Sequence, residues 1–306
     1  MLIHVKTDFD KVIPLEGHVG RALHTSGLPR KELWLTNKID GLPSGDYSSV
    51  RARVEAMLAE VQVDHFDLLL INYPLPAGTA LDGNPEALAR SENWAHFERH
   101  LLEAWTNMSR LRQDGLAIHV GVSNFYTQHL EALQDVIIRS NKINKCKRNS
   151  TPAHTSDPEP HGNDLAPIYA AENFIDLAHP EYELVEYCFR HSIRCLAYRS
   201  VYFIGVYEII GLLEPLEGVV SAVGVANVHQ LVLAWLLSRG VSPITSSSNK
   251  DHLRSNYEAL SASRQLRTCN IDSSASEILG EALNTLALAF RGMGDLHGIP
   301  VCFGIS

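Results

Sequence analysis

Three short stretches carry residues whose types and positions suit chemistry. Phe66–Pro74 is an apolar run that ends in Asn72, Tyr73 and Pro74. Val120–Phe125 (VGVSNF) sets Ser123 and Asn124 side by side, and Glu32–Ile39 (ELWLTNKI) ends one residue past Lys38. An asparagine can donate a hydrogen bond to a carbonyl but cannot change charge. A lysine after a strand is either a cation aimed into a site or a solvated surface group. Other constellations are weaker. His96 and His100 lie four apart with Glu98 between them, a spacing that can put two metal ligands on one helix face. No third ligand accompanies them, so a solvated face is expected and no metal. His154 and His161 fall in a polar stretch. A G-x-S-x-G nucleophile elbow and a P-loop are both absent.

These residues need elements to position them, and the composition allows a large core. The chain has 306 residues, 45% of them hydrophobic and 20% charged, which suits a globular fold rather than a disordered one. A net charge of −9 argues against nucleic acid as a partner. Five cysteines (Cys146, Cys188, Cys195, Cys269 and Cys302) include no C-x-x-C pair, so free thiols in a reducing compartment are expected. The start, MLIHVKTDFD, has no basic segment followed by an apolar one, and no run reaches the length of a membrane span. A cytoplasmic protein with no membrane partner is the expectation.

Along the chain, short apolar runs alternate with helical patterns. Glu32–Ile39 reads as a strand and Ser48–Val63 as a helix, with Val50, Val54, Met57, Leu58 and Val61 at helical spacing. Phe66–Ile71 is a strand buried on both faces. Glu98–Gln113 is a helix, Ala117–Val122 a strand and Thr127–Ile138 a helix. Residues 141–164 are polar and rich in Pro, Ser and Asn, and read as a flexible insertion. Periodicity resumes at Asn173–Leu177. Next come a helix over Glu183–His191, a strand at Ile193–Tyr198, a helix at Val228–Arg239 and a strand at Val241–Thr245. Helices at His252–Leu260 and Glu277–Phe290 close the pattern. Such alternation means parallel strands with helical crossovers, but periodicity does not separate an open sheet from a closed barrel. No G-x-G-x-x-G follows an early strand, which lowers the expectation of a Rossmann site.

The motifs separate the two. GLAIHVGVSNF at 115–125 resembles the fifth-strand signature of the aldo-keto reductase family. HVGRALHTSGLPRKELWLTNKI at 18–39 is similar to the family's second helix and third strand. HPEYELVEYCFRHSIRCLAYRSV at 179–201 resembles its sixth helix and seventh strand. LAWLLSRGVSPITSSSNKDHLRSNYEAL at 233–260 resembles its last helix–strand–helix. The resemblance covers most of residues 1–290 and implies an α/β fold, a TIM-type (β/α)8 barrel. It makes 1–306 a single domain, with 141–164 an insertion and 261–306 a C-terminal helix and tail. Active sites of such barrels sit at the C-terminal ends of the strands.

The family's chemistry uses a tyrosine to protonate a carbonyl while NADPH gives a hydride. A lysine held by an aspartate supports the tyrosine, and a histidine orients the oxygen. By this resemblance Lys38 stands on the lysine, Asp8 on the aspartate and Asn72 on the histidine. Ile13 stands on the tyrosine, and no tyrosine precedes Tyr47. Loss of a general acid costs about 10²–10⁴-fold, and a water near Lys38 would then have to give the proton. Ser123, Asn124 and Asn173 match the residues that hold the nicotinamide carboxamide, with Phe174 where the family has glutamine. Tyr198 matches the tyrosine that stacks on the ring. At the adenosine 2′-phosphate, Ser246 replaces a lysine and His252 an arginine. Asn256 is kept, and Lys250 and Arg254 lie nearby. Phosphate is gripped by charge-assisted bonds, so NADP(H) should bind more weakly than usual. His179, before Pro180, matches a family His-Pro and is expected to be structural.

The family places a strand and helix before the segment matching residues 4–8, so this barrel is expected to be N-terminally shortened. The apolar tail 299–305 either fills the missing slot or merely packs nearby. Two functions follow from the resemblance. One is a nicotinamide-dependent oxidoreductase acting on a small carbonyl substrate with impaired catalysis. The other is an inactive barrel kept for binding or regulation, with a protein partner.

Overall fold

Parallel neighbours cannot be joined by a tight turn, so each pair of strands needs a long crossover. The computed structural model describes residues 2–4, 15–75, 91–150, 164–177, 179–202, 204–209 and 213–268. Asp8, Ile13, the helix expected at 277–290 and the tail at 299–305 lie outside these residues. Contacts divide the chain into two compact units, Met1–Ala171 and Glu172–Ser306.

The first unit lays its strands side by side in chain order. β1 (Leu2–His4) pairs with β2 (Trp34–Ile39), β2 with β3 (Phe66–Ile71) and β3 with β4 (Ala117–Ser123), all parallel. The register aligns Lys38 with Leu70, and Leu70 with Gly121. Tyr169 N–H bonds Val120 O at 3.0 Å, which draws the approach to β5 (Ala170–Phe174) alongside β4. Leu68 to Ile71 are all buried, as a strand covered on both faces requires. Asp67 is the exception within β3. Its carboxylate accepts the Leu35 N–H at 2.7 Å and pairs with Arg30 at 2.7 Å, tying β3 to the start of β2.

The crossovers are α1 (Leu15–Ser26), α2 (Tyr47–Val61), α3 (Ser91–Gln113) and α4 (Thr127–Ser150). Asp46 caps α2 by accepting from Ser49 N–H, and Gln62 ends the helix in the left-handed region at φ 61°. The buried face of α2 is Val50, Val54, Met57, Leu58 and Val61, the set its spacing predicts. Trp105 of α3 is fully buried and gives its indole N–H to Ala166 O at 2.8 Å. Asn107 donates to Pro43 O and Gly45 O at 2.8 and 3.1 Å, holding the loop that follows β2.

Gly121 in β4 is required by close approach. A Cβ there would crowd the Ala170 carbonyl and lie 2.8 Å from Leu70 Cδ2. The glycine of the GVSNF stretch thus lets the backbone leading into β5 pass close to β4.

The second unit holds α5 (Tyr182–Arg190), β6 (Arg194–Tyr198), α6 (Ile204–Ile209), α7 (Glu214–Val223), α8 (Val228–Ser238), β7 (Ser242–Ile244) and α9 (Lys250–Thr268). β6 and β7 are parallel, with Tyr198 opposite Ile244. In α8, residues 230–236 are all buried. The Asn227 side chain caps α8 by accepting from Gln230 N–H at 2.9 Å, and Gln230 Oε1 accepts from Ala226 N–H at 2.7 Å. Among the described residues no helix is long and apolar enough to cross a membrane.

The structure differs from the sequence expectations at several boundaries. α4 does not stop near Ile138 but runs to Ser150, through the first ten residues of the segment read as an insertion. That stretch has no Gly or Pro, and its lysines and arginine suit a helix C-terminus. Asn141 anchors it, donating to Leu165 O at 3.0 Å and accepting from Leu165 N–H at 2.6 Å. Residues 151–163 lie outside the described set. β5 spans Ala170–Phe174, earlier than the pattern resuming at Asn173. α3 begins at Ser91 and α9 ends at Thr268, both longer than expected. α7 carries no expectation of its own.

Candidate active site

β2, β3 and β4 end together in the first unit, and their last residues meet. Lys38 is the penultimate residue of β2. Asn72 follows β3 and continues the ladder, its N–H reaching Ile39 O at 2.9 Å. Ser123 closes β4 and is fully buried. Asn124 follows in the left-handed region at φ 62°, a conformation that asparagine tolerates better than most residues.

Hydrogen bonds join the four. Lys38 Nζ donates to Ser123 Oγ at 3.3 Å. Asn124 Nδ2 donates to Ser123 Oγ at 3.3 Å and to Asn72 O at 2.7 Å. Beneath Lys38, buried Asn37 accepts the Lys38 N–H through Oδ1 at 2.8 Å. The positive φ of Asn124 aims its amide back across the strand ends, so one side chain ties β4 to β3. The cluster presents a cation, a hydroxyl and amides, which are groups that hold a carbonyl or carboxamide. The lysine ammonium is the one charged group of the four.

Behind the Asn124 turn lies His129, which sequence reasoning did not single out. It is buried among the rings of Phe97, Phe125 and Tyr126. Its Nδ1 accepts the Tyr126 N–H at 3.2 Å, while Nε2 is buried without a hydrogen-bond partner. Burial pushes its pKa down to about 4. The neutral ring thus holds the turn between Asn124 and α4.

In the second unit, Asn173 is buried next to the end of β5, and Tyr198 ends β6. The ring of Phe174 lies 6.0 Å from that of Tyr198 and 5.2 Å from that of His179. Asp176 Oδ1 takes both the backbone N–H of His179, at 2.8 Å, and its Nδ1, at 2.9 Å. In sequence this pair shows only as an acid three residues before a histidine. Farther along, Ser246 is exposed after β7 and Asn256 is half-buried in α9. Near the start of α9, Lys250, His252 and Arg254 are exposed, and Arg254 lies 3.8 Å from Asp251. Asp8 lies outside the described residues.

Comparison with known proteins gives this geometry its context. The family model "Aldo/keto reductase family" matches residues 14–273. The aldehyde reductase YPR1 of Saccharomyces cerevisiae is 24% identical over 254 residues, 79% of this chain and 70% of that protein. An aldo/keto reductase structure from Brucella melitensis superposes with a TM-score of 0.61 at 19% identity, covering 92% of this chain and 82% of the other. An aldo-keto reductase from Klebsiella pneumoniae, solved in complex with NADPH, gives a TM-score of 0.57 at 23% identity over 85% and 74% of the two chains. The chain belongs to the aldo-keto reductase family of oxidoreductases. Its fold is the family's (β/α)8 barrel, as the motifs led one to expect.

Proposed function

We propose that the protein is an NADP(H)-dependent oxidoreductase of aldo-keto reductase type, acting on a small carbonyl or alcohol with reduced catalytic power. The observation that carries this reading is the hydrogen-bonded series Lys38–Ser123–Asn124–Asn72 at the ends of β2, β3 and β4. A bound reduced nicotinamide would supply a hydride to the carbonyl carbon. Hydroxyl and amide groups at Ser123 and Asn124 complement the donors and acceptor of a carboxamide. In the second unit, the resemblance assigns Asn173 to the carboxamide and Tyr198 to stacking on the nicotinamide ring. The Lys38 cation, with Asp8 as its partner by resemblance, stabilises negative charge growing on the substrate oxygen, and the Asn72 amide donates to that oxygen. The protein of this fold from Klebsiella pneumoniae, solved with NADPH, and the yeast relative named an aldehyde reductase support the assignment.

At the phosphate end the fit is looser. Ser246 and Asn256 bring no charge, and Asp251 stands close to Arg254. Lys250 and Arg254 are exposed, so each contact they make with a phosphate competes with water. Binding of the 2′-phosphate should therefore be weak. A cytoplasmic setting belongs to the same proposal, and five cysteines without a C-x-x-C pair support it.

The second reading is a barrel that binds without turning over. It is favoured by the resemblance, which sets Ile13 where the family has its proton-giving tyrosine and Asn72 where it has its histidine. Titrating NADPH while following tryptophan fluorescence, then assaying an aldehyde panel, separates the two. Quenching with turnover that is lost in Lys38→Met supports the oxidoreductase. Quenching without turnover selects the binding protein. Absence of quenching up to millimolar NADPH rejects both nicotinamide readings.

A further inference from the structure

The helix behind the Asn124 turn starts without an ordinary cap. Leu130 N–H donates to Tyr126 O at 3.1 Å and His129 N–H to the same oxygen at 2.9 Å. Tyr126 is therefore the N-cap of α4, and His129 is its third helical residue. A good N-cap carries a short polar side chain that accepts one of the helix's first N–H groups, and tyrosine has none. The reverse half of a capping box is present instead, in which the third residue's side chain reaches back to the N-cap N–H. That role usually falls to glutamate or glutamine. Here it falls to a histidine, whose Nδ1 accepts the Tyr126 N–H at 3.2 Å.

The surroundings keep this imidazole an acceptor. The residue is 1% exposed, and its ring lies 5.8 Å from that of Phe97, 5.9 Å from that of Phe125 and 6.4 Å from that of Tyr126. Burial alone lowers its pKa, to about 4. Glu98, the neighbour of Phe97 on α3, is paired with Arg139 of α4 at 3.3 Å. The ring also stands in the first turn of α4, where the helix dipole disfavours a positive charge. An imidazolium would carry a proton on Nδ1 and face the Tyr126 N–H donor to donor. The bond to Tyr126 therefore requires the neutral ring.

The turn in front of the helix is pinned at both ends. At one end Asn124 Nδ2 donates to Asn72 O at 2.7 Å and to Ser123 Oγ at 3.3 Å. At the other, His129 holds the Tyr126 N–H. Only Phe125 lies between them, and it is fully buried. Asn124 sits at φ 62°, a conformation that a residue with a Cβ keeps only where its surroundings impose it. We propose that His129 is a positioning residue for Asn124. Its Nδ1, acting through the Tyr126 N–H, holds the left-handed turn that aims the Asn124 amide. Ligand binding at that amide then depends on an acceptor at position 129, whereas the stability of the aromatic cage depends on its being filled. The ligand is the nicotinamide cofactor, so this part rests on the reading under Proposed function.

Two substitutions separate an acceptor from a filler. In His129→Gln, Oε1 can take the Tyr126 N–H as in an ordinary capping box, but the cage is left underfilled. In His129→Phe the cage is filled and nothing accepts. The first readout needs no cofactor and follows hydrogen exchange of the full chain by NMR at pH 7. The Tyr126 N–H and the Asn124 side-chain amide should be protected in the parent and in His129→Gln, and should exchange about tenfold faster in His129→Phe. The second readout titrates NADPH against tryptophan fluorescence. His129→Phe should weaken binding about tenfold, and His129→Gln should stay within about threefold of the parent. Urea midpoints should run the other way, with His129→Gln below His129→Phe. Should His129→Gln not fold, the parent and His129→Phe still decide. A His129→Phe protein with the parent's exchange and affinity overturns the proposal, and so does a His129→Gln protein that binds as weakly as His129→Phe. If the parent itself does not bind NADPH, the nicotinamide reading falls. Asn124 protection lost in His129→Phe then still supports the positioning role, and protection retained overturns it.

Discussion

Lys38 Nζ lies 3.3 Å from Ser123 Oγ, so the end of β2 is joined to the end of β4 across the intervening β3. The same hydroxyl accepts from Asn124 Nδ2 at 3.3 Å. One buried oxygen therefore organises a cation and an amide that stand 86 positions apart in the chain, at 38 and 124.

Ser123→Ala should be felt in both binding and stability. Removing the hydroxyl strips an acceptor from two donors at once, one of them charged. Leaving such donors short of a partner costs about 1–3 kcal/mol. Urea unfolding should show a loss of that order, and NADPH affinity should fall about tenfold, the equivalent of roughly 1.4 kcal/mol. An unchanged affinity would detach Ser123 from the cofactor.

Asn124 allows backbone and side chain to be separated. At φ 62° a glycine is relaxed and an alanine strained. Asn124→Gly should lose the amide bonds alone, about 1 kcal/mol. Asn124→Ala should add the left-handed penalty of roughly 1–2 kcal/mol. Thermal melts that rank alanine above glycine would contradict this geometry. Both variants should weaken NADPH binding, since both lack the amide.

Gly121→Ala should be among the most damaging single-methyl changes in the first unit. The new Cβ would meet the Ala170 carbonyl, which is backbone and cannot rotate away, as well as Leu70 Cδ2 at 2.8 Å. Overpacking of this kind costs about 1–3 kcal/mol, and the rigid obstacle favours the upper end. Chemical denaturation compares the variant with the parent. A shift within error would mean that β4 and the backbone entering β5 separate easily.

How much of this was legible in the residues depends on what decides each feature. β3 was read to its exact bounds, because Phe66–Ile71 is apolar on both faces and ends at polar Asn72. α2 was legible within two residues at each end from the spacing of Val50, Val54 and Val61. The length of α4 was not. Asn141–Ser150 is polar enough to read as a loop, and its anchor to Leu165 is a contact between distant residues. β5 was read late because Ala170 and Ala171 have little intrinsic strand preference, and their burial comes from neighbours. Lys38, Asn72, Ser123 and Asn124 were found through motifs, since nothing local marks them as partners. That Asn124 reaches the carbonyl of Asn72, rather than its amide, follows from one positive φ. The ring bond from His179 to Asp176 gave no signal beyond a three-residue spacing.

His129 makes stability depend on pH in a defined window. Burial lowers its folded-state pKa to about 4, against an ordinary value of 6.5. The folded state thus binds the proton less readily than the unfolded chain. The resulting stability is fully present above pH 6.5 and declines as pH falls toward 4. A difference of that size corresponds to about 3 kcal/mol once the pH is below both values. Urea midpoints measured between pH 7.5 and 4 should fall over this window by an amount that His129→Phe reduces. Phenylalanine fills the aromatic pocket formed by Phe97, Phe125 and Tyr126 but has no proton to bind. It also forfeits the Tyr126 N–H bond, so its midpoint at pH 7.5 should lie slightly below the parent's, while the acid slope flattens. If the variant keeps the parent's slope, the acid sensitivity resides elsewhere and His129 does not hold the turn as a neutral ring.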